Sequence, residues 1–518
     1  MTEMMGAWPH TIPHAAKAAA ERWPDQAGII EGDRQWSFAE VWADARAAAS
    51  AFLASGLRHG DRIALWAPNG RTWILATLGA QSIGATIVPL NTRFKGQEAA
   101  DILRRSKAKL LFVPEFFLDT DYRALIADED LPDLAEVLLI DSEWDAFVAR
   151  GCGPDDATVD EALSHISGDD ISDIIFTSGT TGRPKGVLTS HAQAVQIFGD
   201  WAVRVDLRAG DRYLVVNPFF HTFGYKAGWV VCFTRGATIV PMAMFDGAEM
   251  IRQIERNRIS FLPGPPTIYV TLLQELAGDK PRDFSSLRVA VTGAAPVAPA
   301  LVERMRRELG MSNIVNGYGM TECGAIAMTR QGDDAETVAH TCGYPLPGTE
   351  VRCVDEAGRD LPSGQAGELW IRGPSVMQGY LDDPAATAEA IDADGWLHTG
   401  DIGTIDARGY LAITDRKKDM YISGGFNCYP AEIESLLAAH PAIETAAVIG
   451  VPDERLGEVG KAFVILRPGH SAEARDIIAW ARASMANYKV PRQISFVAAL
   501  PRNAGGKVLR MALRDWDG

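Results

Sequence analysis

The sequence predicts an α/β protein with a large N-terminal body of layered α/β sheets, a β-rich subdomain and a small mobile α+β domain at the C-terminal end. The chain has 518 residues, more than one ordinary domain uses. Through most of it, short apolar strand candidates alternate with stretches that are apolar at helical spacing. After residue 340 the strand candidates become shorter and turns more frequent.

The N-terminal part begins the layered body with a strand–helix–strand pattern. Residues 61–69 (DRIALWAPN) and 84–91 (GATIVPLN) have the apolar composition of short buried strands, and residues 71–83 (RTWILATLGAQSI) are apolar at helical spacing. Such a unit is typical of a layered α/β sheet. Residues 115–170 are weakly patterned, so we expect them to lie on the surface and to join two sub-regions.

The central part repeats this alternation more densely from residue 171. Helices are predicted at 248–257 and 299–309. The strand candidates around them are ISDIIF, RYLVVN, GATIVP, RISFLPG, LRVAVTG and NIVNGYG. The later segments GELWIRG, DEAGRDLPSG and DARGY indicate the β-rich subdomain.

A charged step at TDRKKD, residues 414–419, separates two apolar strands and marks a domain boundary. Beyond it, Pro430 stands at the start of a helical stretch with two glutamates in its first turn, as helix N-termini favour. The sequence therefore predicts an N-terminal domain of residues 1–414, a hinge at 415–418 and a C-terminal domain at 419–518.

Charge and composition exclude several classes of protein. Lys and Arg number 50 against 67 Asp and Glu, a net charge of −17, so the chain lacks a general electrostatic footprint for nucleic acid or anionic membranes. The six cysteines have neither CxxC nor zinc-ligand spacing, which indicates reduced thiols. There is no signal-peptide pattern and no run of ~20 apolar residues, so we expect a cytoplasmic protein without a membrane span.

A loop rich in glycine and hydroxyl groups, TSGTTGRPKG at residues 177–186, follows a predicted strand. Backbone N–H groups exposed by glycine, together with hydroxyls and one ammonium, form a nest that binds phosphate. The loop does not match the GxxxxGK[ST] pattern of common NTPases, because position 184 is proline. Ordinary turns rarely carry so many hydroxyls, so a phosphate site is preferred over a plain glycine-rich hairpin.

Six motifs together resemble those of the adenylate-forming superfamily, which comprises acyl-CoA synthetases, luciferases and peptide-synthetase adenylation domains. The first is TSGTTGRPKG, and the motifs cover nearly the whole chain in the family's order. The other five are NGYGMTE (316–322), GELWIRGPSVMQGY (367–380), HTGD (398–401), TDRKKDMYISGGFNCYPAEIE (414–434) and PRNAGGKVLR (501–510). The resemblance implies an acid, ATP, Mg²⁺ and CoA as partners, and two half-reactions: acid + ATP → acyl-AMP + PPi, then acyl-AMP + CoA → acyl-CoA + AMP.

The resemblance also implies a nucleotide site. Tyr318 would lie flat against adenine, Thr321 would bond the α-phosphate, and Glu322 would ligate Mg²⁺, which proteins bind through one or two carboxylates plus phosphate oxygens. Asp401 would accept hydrogen bonds from the ribose hydroxyls, because a carboxylate is an acceptor only, and Arg416 would assist it. The residues implied around the phosphates and the adenine are Thr177, Ser178, Gly179, Thr180, Thr181, Gly182, Lys185, Gly293, Ala294 and Ala295.

Four further positions follow from the family's two-step reaction. Lys507 would bridge the incoming carboxylate and the phosphate in the adenylation step. Lys418 would be the hinge about which the small domain rotates between the steps. Gly425 would then line the tunnel for the pantetheine arm of CoA, where a side chain would collide with the thiol arm. His221 would act as a gate where the acyl and CoA channels meet.

The acyl pocket implied by the resemblance is apolar and aromatic, so a hydrophobic acid is expected rather than acetate or an amino acid. Short blocks such as NPFFHTFGYKAG and PGPPTIY especially resemble bacterial steroid-degradation ligases that act on a hydroindane-propanoate. Medium- or long-chain fatty acids and aryl acids stay open as substrates. The predicted pocket residues are Phe219, Phe220, His221, Tyr225, Lys226, Pro265, Tyr269, Gly317 and Met320.

Lys226 is an unusual member of that pocket because it is charged. One interpretation gives its ammonium a carboxylate partner or contact with water, as lysines with packed stems commonly have. The other places it against a distal polar group of the acid, such as a ring ketone. In either case an uncompensated charge in an apolar pocket would be costly.

Other functions stay open from the sequence. A stand-alone acyl-AMP ligase that loads a separate carrier protein is one, although no carrier domain follows the C-terminal region. A luciferase-like oxygenase is a second. An inactive ATP- or acyl-binding regulator is disfavoured because Lys507, Glu322 and Asp401 are all present. A homodimer is the expected assembly, since symmetric dimers are common.

Overall fold

The computed structural model describes residues 8–153, 155–177, 183–278, 281–293, 297–416, 421–501, 508, 510–514 and 516. Strands β1–β25 and helices α1–α17 are labelled in chain order. Two large sheets, one smaller sheet and a separate C-terminal sheet organise the described residues. This arrangement confirms the predicted fold class of a large layered α/β body, a β-rich subdomain and a small α+β domain.

A nine-stranded sheet forms the centre of the body, and its middle strands run parallel to one another. Their carboxyl ends therefore reach the same edge, where open α/β sheets bind ligands. In spatial order the strands are β15 (Tyr344–Pro345), β14 (Gly324–Met328), β13 (Asn313–Met320), β12 (Val289–Gly293), β11 (Phe261–Pro263), β9 (Arg212–Val215), β10 (Thr238–Pro241), β1 (Ala27–Glu31) and β2 (Arg34–Ser37).

A seven-stranded sheet forms the second layer. It contains the predicted strand–helix–strand unit, which is confirmed as β3, α3 and β4, with the two strands parallel. In spatial order the strands are β18 (Gly379–Tyr380), β8 (Lys185–Ser190), β7 (Ile171–Thr177), β4 (Thr86–Pro89), β3 (Arg62–Leu65), β5 (Leu110–Val113) and β6 (Glu136–Leu139).

Helices separate and cover the two sheets. The apolar core between them takes side chains from both sheets and from the inner helices, so the two layers are packed as one unit. The inner helices are α1 (Ile12–Arg22), α2 (Phe38–Ala54), α3 (Arg71–Gln81), α7 (His191–Arg204) and α9 (Val231–Arg235). Capping boxes begin α2 at Ser37 and α7 at Ser190, where each serine hydroxyl accepts from the third helical N–H.

Outer helices cover the far face of each large sheet. The nine-stranded sheet is covered by α10 (Gly247–Asn257), α11 (Pro266–Leu276), α12 (Pro299–Glu308) and α13 (Ala335–His340). The seven-stranded sheet is covered by α4 (Gly96–Ser106) and the 3₁₀ turn Ala124–Ile126. None of the described helices combines the length and the apolar character that a membrane span requires.

One stretch differs from its prediction, and a second has a conformation for which the sequence makes no prediction. Residues 115–170 are not merely surface-lying, because they contain β6 as well as α5 (Trp144–Val148) and α6 (Ala157–Ser164), whose buried aromatic and aliphatic side chains join the core. The stretch 218–228 is partly helical: it contains the single turn α8 (Thr222–Gly224), which leads into a π-helix at Tyr225–Val230.

The β-rich subdomain is a four-stranded antiparallel sheet in the order β16 (Glu350–Val354), β17 (Gly367–Arg372), β19 (Leu397–Ile405) and β20 (Leu411–Arg416). The short helix α14 (Pro384–Ala390) lies beside it. The end of β20 brings the chain to the boundary that the sequence predicted at TDRKKD.

The C-terminal residues form their own sheet and core. Its strands are β21 (Tyr421–Ser423), β22 (Phe426–Cys428), β23 (Ile443–Asp453), β24 (Gly457–Leu466) and β25 (Gln493–Phe496). Its helices are α15 (Pro430–Ala438), which begins at the proline that the sequence indicated, α16 (Ala474–Ser484) and α17 (Arg510–Arg514).

Candidate active site

The strand ends of the nine-stranded sheet bring four sequence motifs to one edge. The segment with His221 follows β9, Pro265 follows β11, Gly293 ends β12, and Tyr318 to Met320 end β13. These strands are sheet neighbours with parallel pairing, so the motifs meet in space although they are far apart in sequence. The edge is thus the candidate active site.

The nucleotide half of this site joins β13 to the β-rich subdomain. The Tyr318 hydroxyl donates to Asp401 Oδ2 at 2.6 Å. Burial and the nearby Asp401 carboxylate raise the pKa of Tyr318 well above its ordinary value, so the phenol stays a donor. On the next strand, Arg416 is the backbone partner of Asp401. The structure therefore places the predicted adenine platform beside the predicted ribose acceptor.

Two glycines leave the ends of β12 and β13 without side chains at the positions where these strands pair. Gly293 pairs with Gly317 across β12 and β13, and a Cβ on Gly293 would lie 2.8 Å from the Gly317 carbonyl oxygen. Because that neighbour is backbone, it cannot move aside as a flexible side chain would. This close approach gives a physical reason for small residues at the predicted adenine slot.

The two ends of the phosphate loop are described. Thr177 ends β7 and its hydroxyl lies 3.5 Å from the Lys185 carbonyl oxygen at the start of β8. Several predicted residues lie outside the described part of the chain, namely Ser178, Gly179, Thr180, Thr181, Gly182, Ala294, Ala295, Lys418 and Lys507.

Glu322, the predicted magnesium ligand, is held by a tyrosine. The Tyr380 hydroxyl donates to Glu322 Oε1 at 3.1 Å, and the ammonium of Lys185 lies 4.9 Å from the centre of the Tyr380 ring. Thr321 and Glu322 directly follow the end of β13, and both border a small cavity. The predicted phosphate lysine and the predicted metal ligand thus contact the same side chain.

His221 lies where the N-terminal body meets the C-terminal sheet. Its ring centre is 5.2 Å from that of Phe220 and 6.3 Å from that of Phe426 in β22. Burial lowers the pKa of His221 to about 4, so the imidazole is neutral at pH 7. A neutral ring between the two domains suits the gate position that the sequence predicted for it.

Asn69 fixes the chain just before His221. Its side chain accepts from the Phe219 N–H at 2.7 Å and donates to the Asn217 carbonyl at 2.9 Å. The chain then turns so sharply that a Cβ on Gly224 would lie 2.2 Å from the Pro218 carbonyl oxygen. The residue type at position 224 is therefore dictated by this turn.

The predicted acyl-pocket residues divide into two groups. His221, Pro265, Gly317 and Met320 are half-buried and lie at the sheet edge, where they can face a ligand. The other five, Phe219, Phe220, Tyr225, Lys226 and Tyr269, are buried. For all nine, a place in an acyl pocket stays a prediction.

The buried aromatic members have partners in the protein core. Phe219 and Tyr225 pack edge-on against Trp73, with ring centres 5.3 and 5.6 Å away. The Tyr225 hydroxyl accepts from the Gln81 amide, and the Tyr269 hydroxyl donates to the Leu262 carbonyl, each at 2.8 Å. These contacts give the rings a packing role in the body of the protein.

Lys226 forms a buried ion pair with Asp173 in β7. Its Nζ lies 2.9 Å from Asp173 Oδ1, and the two side chains are 2% and 0% exposed. Burial lowers the pKa of Lys226, while the Asp173 carboxylate opposes that shift. The cavity that Lys226 shares with Thr321 and Glu322 measures about 10 Å³, room for roughly one water molecule. The structure thus supports the first interpretation of Lys226, a carboxylate partner.

Gly425 lies in the turn between β21 and β22. Its φ of +85° is in the left-handed region, which favours glycine, and among the described residues no atom beyond its two chain neighbours lies within 4 Å of the position a Cβ would take. The backbone conformation alone therefore explains this glycine. The tunnel that it was predicted to line stays a prediction.

Sequence reasoning missed several residues of this site. Asp173 and Asn69 lie in ordinary strand and loop segments and gave no local signal. Tyr380 stood inside a recognised motif, GELWIRGPSVMQGY, without an assigned role. Lys489 follows Tyr488 in the C-terminal domain, and its buried charge bonds to Glu98 of the body.

Comparison with known proteins adds family matches along most of the chain. A family model described as AMP-binding enzyme matches residues 16–381, and one described as AMP-binding enzyme C-terminal domain matches residues 432–507.

Two bacterial relatives carry the same name, 3-[(3aS,4S,7aS)-7a-methyl-1,5-dioxo-octahydro-1H-inden-4-yl]propanoyl:CoA ligase. The protein from Mycobacterium tuberculosis (strain ATCC 25618 / H37Rv) is 48% identical over 511 residues, which cover 98% of this chain and 98% of the relative. The protein from Rhodococcus jostii (strain RHA1) is 46% identical over 520 residues, covering 98% and 99%.

One solved enzyme matches in two ligand states. A double mutant of o-succinylbenzoate CoA synthetase from Bacillus subtilis, bound with its product analogue OSB-NCoA, has a TM-score of 0.82 at 27% identity, covering 97% of this chain and 98% of that chain. The same synthetase in complex with AMP has a TM-score of 0.65 at equal identity and coverage.

The buried ion pair yields a stability prediction. Lys226→Met leaves the Asp173 carboxylate buried without its partner, which costs about 3–5 kcal/mol. We expect a clearly lower thermal unfolding midpoint, measured by circular dichroism or differential scanning calorimetry. The double variant Lys226→Met/Asp173→Asn should recover much of the loss, because no charge then remains buried.

A different result would favour the second interpretation of Lys226. A Lys226→Met variant with wild-type stability and an altered preference among acids would indicate that the ammonium contacts substrate. Equal proportional losses for all acids, together with lower stability, are what the ion pair predicts.

Proposed function

The chain belongs to the AMP-binding enzyme family, and from this premise we propose that it is an AMP-forming acid:CoA ligase whose acid is a propanoate carrying a hydroindane ring system with ring ketones. The observation that carries the proposal is the 48% identity, over 98% of the chain, to a ligase named for this propanoyl group. The enzyme class expected from the sequence is confirmed by these relationships, and the identity of the acid is the finer part of the proposal.

The first half-reaction joins two anions. A carboxylate oxygen of the acid forms a bond to the α-phosphorus of ATP, and pyrophosphate leaves. The protein must hold the reactants in line and neutralise their charge. In this proposal Lys185 contacts the β- and γ-phosphates, Lys507 bridges the carboxylate and the phosphate, and Thr321 donates to the α-phosphate.

The magnesium site of the proposal fits the donors that are present. Among the described residues, no three or more His, Cys, Asp or Glu side chains are grouped so that they could hold a metal ion together. Glu322 would therefore hold the ion through a single carboxylate, with phosphate oxygens and water completing the shell, as Mg²⁺ commonly requires. When bound, the ion would neutralise phosphate charge.

The second half-reaction transfers the acyl group to the CoA thiol and releases AMP. We propose that the structure represents the arrangement for this step. Phe426, next to Gly425, lies against His221, so the predicted CoA tunnel and the predicted gate are adjacent. The TM-score of 0.82 against the synthetase with a CoA product analogue, compared with 0.65 against its AMP complex, supports the same arrangement.

A buried interdomain ion pair stabilises this arrangement. The Lys489 ammonium donates to Glu98 of α4 and to Glu432 of α15, each at 2.7 Å. It also lies 4.7 Å from the centre of the Phe94 ring. Burial lowers the pKa of Lys489, but Tyr488, Glu98 and Glu432 outweigh it and raise the pKa above its ordinary value. The charge therefore persists at the interface.

We call the ion pairs of Lys489 with Glu98 and Glu432 the interdomain clasp, and its contact with Glu98 can be broken without leaving Lys489 unpaired. If the small domain rotates about the predicted hinge at Lys418, Lys489 leaves Glu98 but keeps Glu432, which belongs to the same domain. The ammonium thus never loses both carboxylates, and Glu98 stays on the N-terminal body. This lowers the cost of separation compared with a single buried pair.

The acid would bind at the edge formed by the half-buried residues His221, Pro265, Gly317 and Met320. The prolyl and thioether groups are apolar, while the neutral imidazole of His221 and the backbone at Gly317 add a few polar groups, a combination that suits a fused-ring acid with ring ketones. We also propose a cytoplasmic location, where ATP and CoA are supplied, and a homodimer as the assembly.

A substrate panel tests the proposed acid. We expect the hydroindane-propanoate to have the highest kcat/KM among this acid, octanoate, palmitate and cinnamate in a CoA-consumption assay. Preference for palmitate would contradict the ring-bearing acid. Acyl-AMP formation without any acyl-CoA would instead favour the alternative of a ligase that loads a carrier protein.

Lys507→Ala tests whether Lys507 acts in adenylate formation and not in thioester formation. Adenylate formation, measured by ATP–pyrophosphate exchange, should fall by orders of magnitude, because charge developing between carboxylate and phosphate loses its stabilising ammonium. Thioester formation from supplied acyl-AMP should be largely retained. An equal loss of both activities would remove this role from Lys507.

Glu98→Gln tests the interdomain clasp. Glu98 Oε2 accepts from the Lys95 N–H at the start of α4 at 2.9 Å, and an amide oxygen can keep this bond, while the charge that attracts Lys489 is gone. We expect thioester formation from acyl-AMP to fall by about tenfold, equivalent to ~1.4 kcal/mol, with ATP–pyrophosphate exchange unchanged.

Glu129→Gln is the matched control for that change. Glu129 lies outside the helices, and its carboxylate pairs at 3.1 Å with the partly exposed Arg104, which belongs to α4 as Glu98 does. Its loss should leave both half-reactions unchanged. If Glu98→Gln behaved like this control, Lys489 would have no part in stabilising the thioester-forming arrangement.

A further inference from the structure

Tyr380 connects the two charged side chains on which the proposed phosphate site depends. Its hydroxyl donates to Glu322 Oε1 at 3.1 Å. Its ring centre lies 4.9 Å from the Lys185 ammonium, within the range of a cation–π interaction. One side chain therefore contacts both a predicted cation ligand and a predicted phosphate ligand.

The backbone holds Tyr380 firmly in this place. It pairs with Val187 in the antiparallel ladder between β18 and β8, and its N–H donates to the Thr387 hydroxyl at 2.9 Å. The preceding Gly379 has a φ of +140°, and a Cβ there would lie 3.0 Å from Thr387. Lys185 begins the same strand β8, so ring and ammonium are fixed relative to each other by one ladder.

Glu322 is tied to the same segment at two points. Its carbonyl oxygen accepts from the Met377 N–H at 2.7 Å, and its carboxylate accepts from Tyr380. The tyrosine occupies Oε1, and within the described part of the chain Oε2 forms no hydrogen bond or ion pair. The hydroxyl thus fixes the rotation of the carboxylate and leaves one oxygen for a cation.

We propose that Tyr380 is a positioning residue for the first half-reaction, with its hydroxyl orienting Glu322 toward a divalent cation and its ring holding Lys185 toward the phosphates. A side chain that hydrogen-bonds to a metal ligand orients that ligand. The loss of such a side chain typically weakens metal binding by about 10–100-fold. The inference rests on the proposed function, because it takes Glu322 and Lys185 as ligands of metal-bound ATP.

Tyr380→Phe removes the hydroxyl and keeps the ring. The direct readout is Mn²⁺ binding, followed by electron paramagnetic resonance in the presence of a non-hydrolysable ATP analogue. We expect Mn²⁺ affinity to fall by about tenfold or more, and the Mg²⁺ concentration for half-maximal ATP–pyrophosphate exchange to rise in parallel. Exchange at saturating Mg²⁺ should recover much of its rate, since the defect is in orienting the ligand.

Tyr410→Phe is the matched control. The Tyr410 hydroxyl also donates to a carboxylate, Asp333 Oδ1 at 3.0 Å, but away from the candidate site. This variant should bind Mn²⁺ like the wild type. A second variant, Tyr380→Leu, also removes the ring, so the affinity for the ATP analogue should fall beyond that of Tyr380→Phe.

The outcomes separate this inference from the proposed function. If the wild type shows no metal-dependent binding of the ATP analogue and no exchange with any acid, the proposed function fails. If the wild type shows both, and Tyr380→Phe keeps wild-type Mn²⁺ affinity and Mg²⁺ dependence, the positioning role of Tyr380 is overturned. Circular dichroism of each variant should show that it is folded, so that a loss of binding does not come from misfolding.

Discussion

The buried ion pair between Lys226 and Asp173 is the constraint on which the geometry of the site depends. Asp173 lies in β7 of the seven-stranded sheet, and Lys226 lies in the π-helix that follows β9 of the nine-stranded sheet. The pair thus joins the strand that leads into the phosphate loop to the segment that carries His221. Because neither charge reaches water, each makes the other necessary, and the Ser172 hydroxyl, which donates to Asp173 at 2.7 Å, adds a further bond.

The interdomain clasp around Lys489 is also a buried cation paired with carboxylates, but one of its pairs can be broken. Among the described residues, Lys226 pairs with one carboxylate and is fixed in the core, whereas Lys489 pairs with two carboxylates on different domains. A buried cation with one partner cannot be separated from it cheaply, but a cation with two can release one. The Lys226 pair can therefore hold the two sheets in a permanent register. The Lys489 pairs allow a reversible contact between the two domains.

Local patterns in the sequence were sufficient for many of the strands and helices and for the order of the motifs, but not for β6, α5 and α6 in the weakly patterned residues 115–170. Apolar runs such as RYLVVN and LRVAVTG gave buried parallel strands, and Pro430 marked a helix start, because these signals depend on neighbouring residues alone. The Lys226–Asp173 pair could not be predicted, since it joins two segments whose contact exists only in the folded protein. The π-helix at Tyr225–Val230 is likewise set by tertiary packing, and it places Tyr225 and its neighbours in the core, while their place in an acyl pocket stays a prediction.

This placement changes how a ketone-bearing acid would be recognised. A ring ketone is a neutral acceptor, and a buried ammonium that is already bonded to a carboxylate has little reason to exchange that partner for it. The Lys226 charge also borders a cavity of only about 10 Å³, which admits no ring. If the acid binds as proposed at the half-buried edge formed by His221, Pro265, Gly317 and Met320, its selection falls to the shape of that edge and to the neutral polar groups there. Since an apolar surface discriminates weakly between acids of similar size, the contrast among bulky acids should come mainly from polar groups placed at that edge.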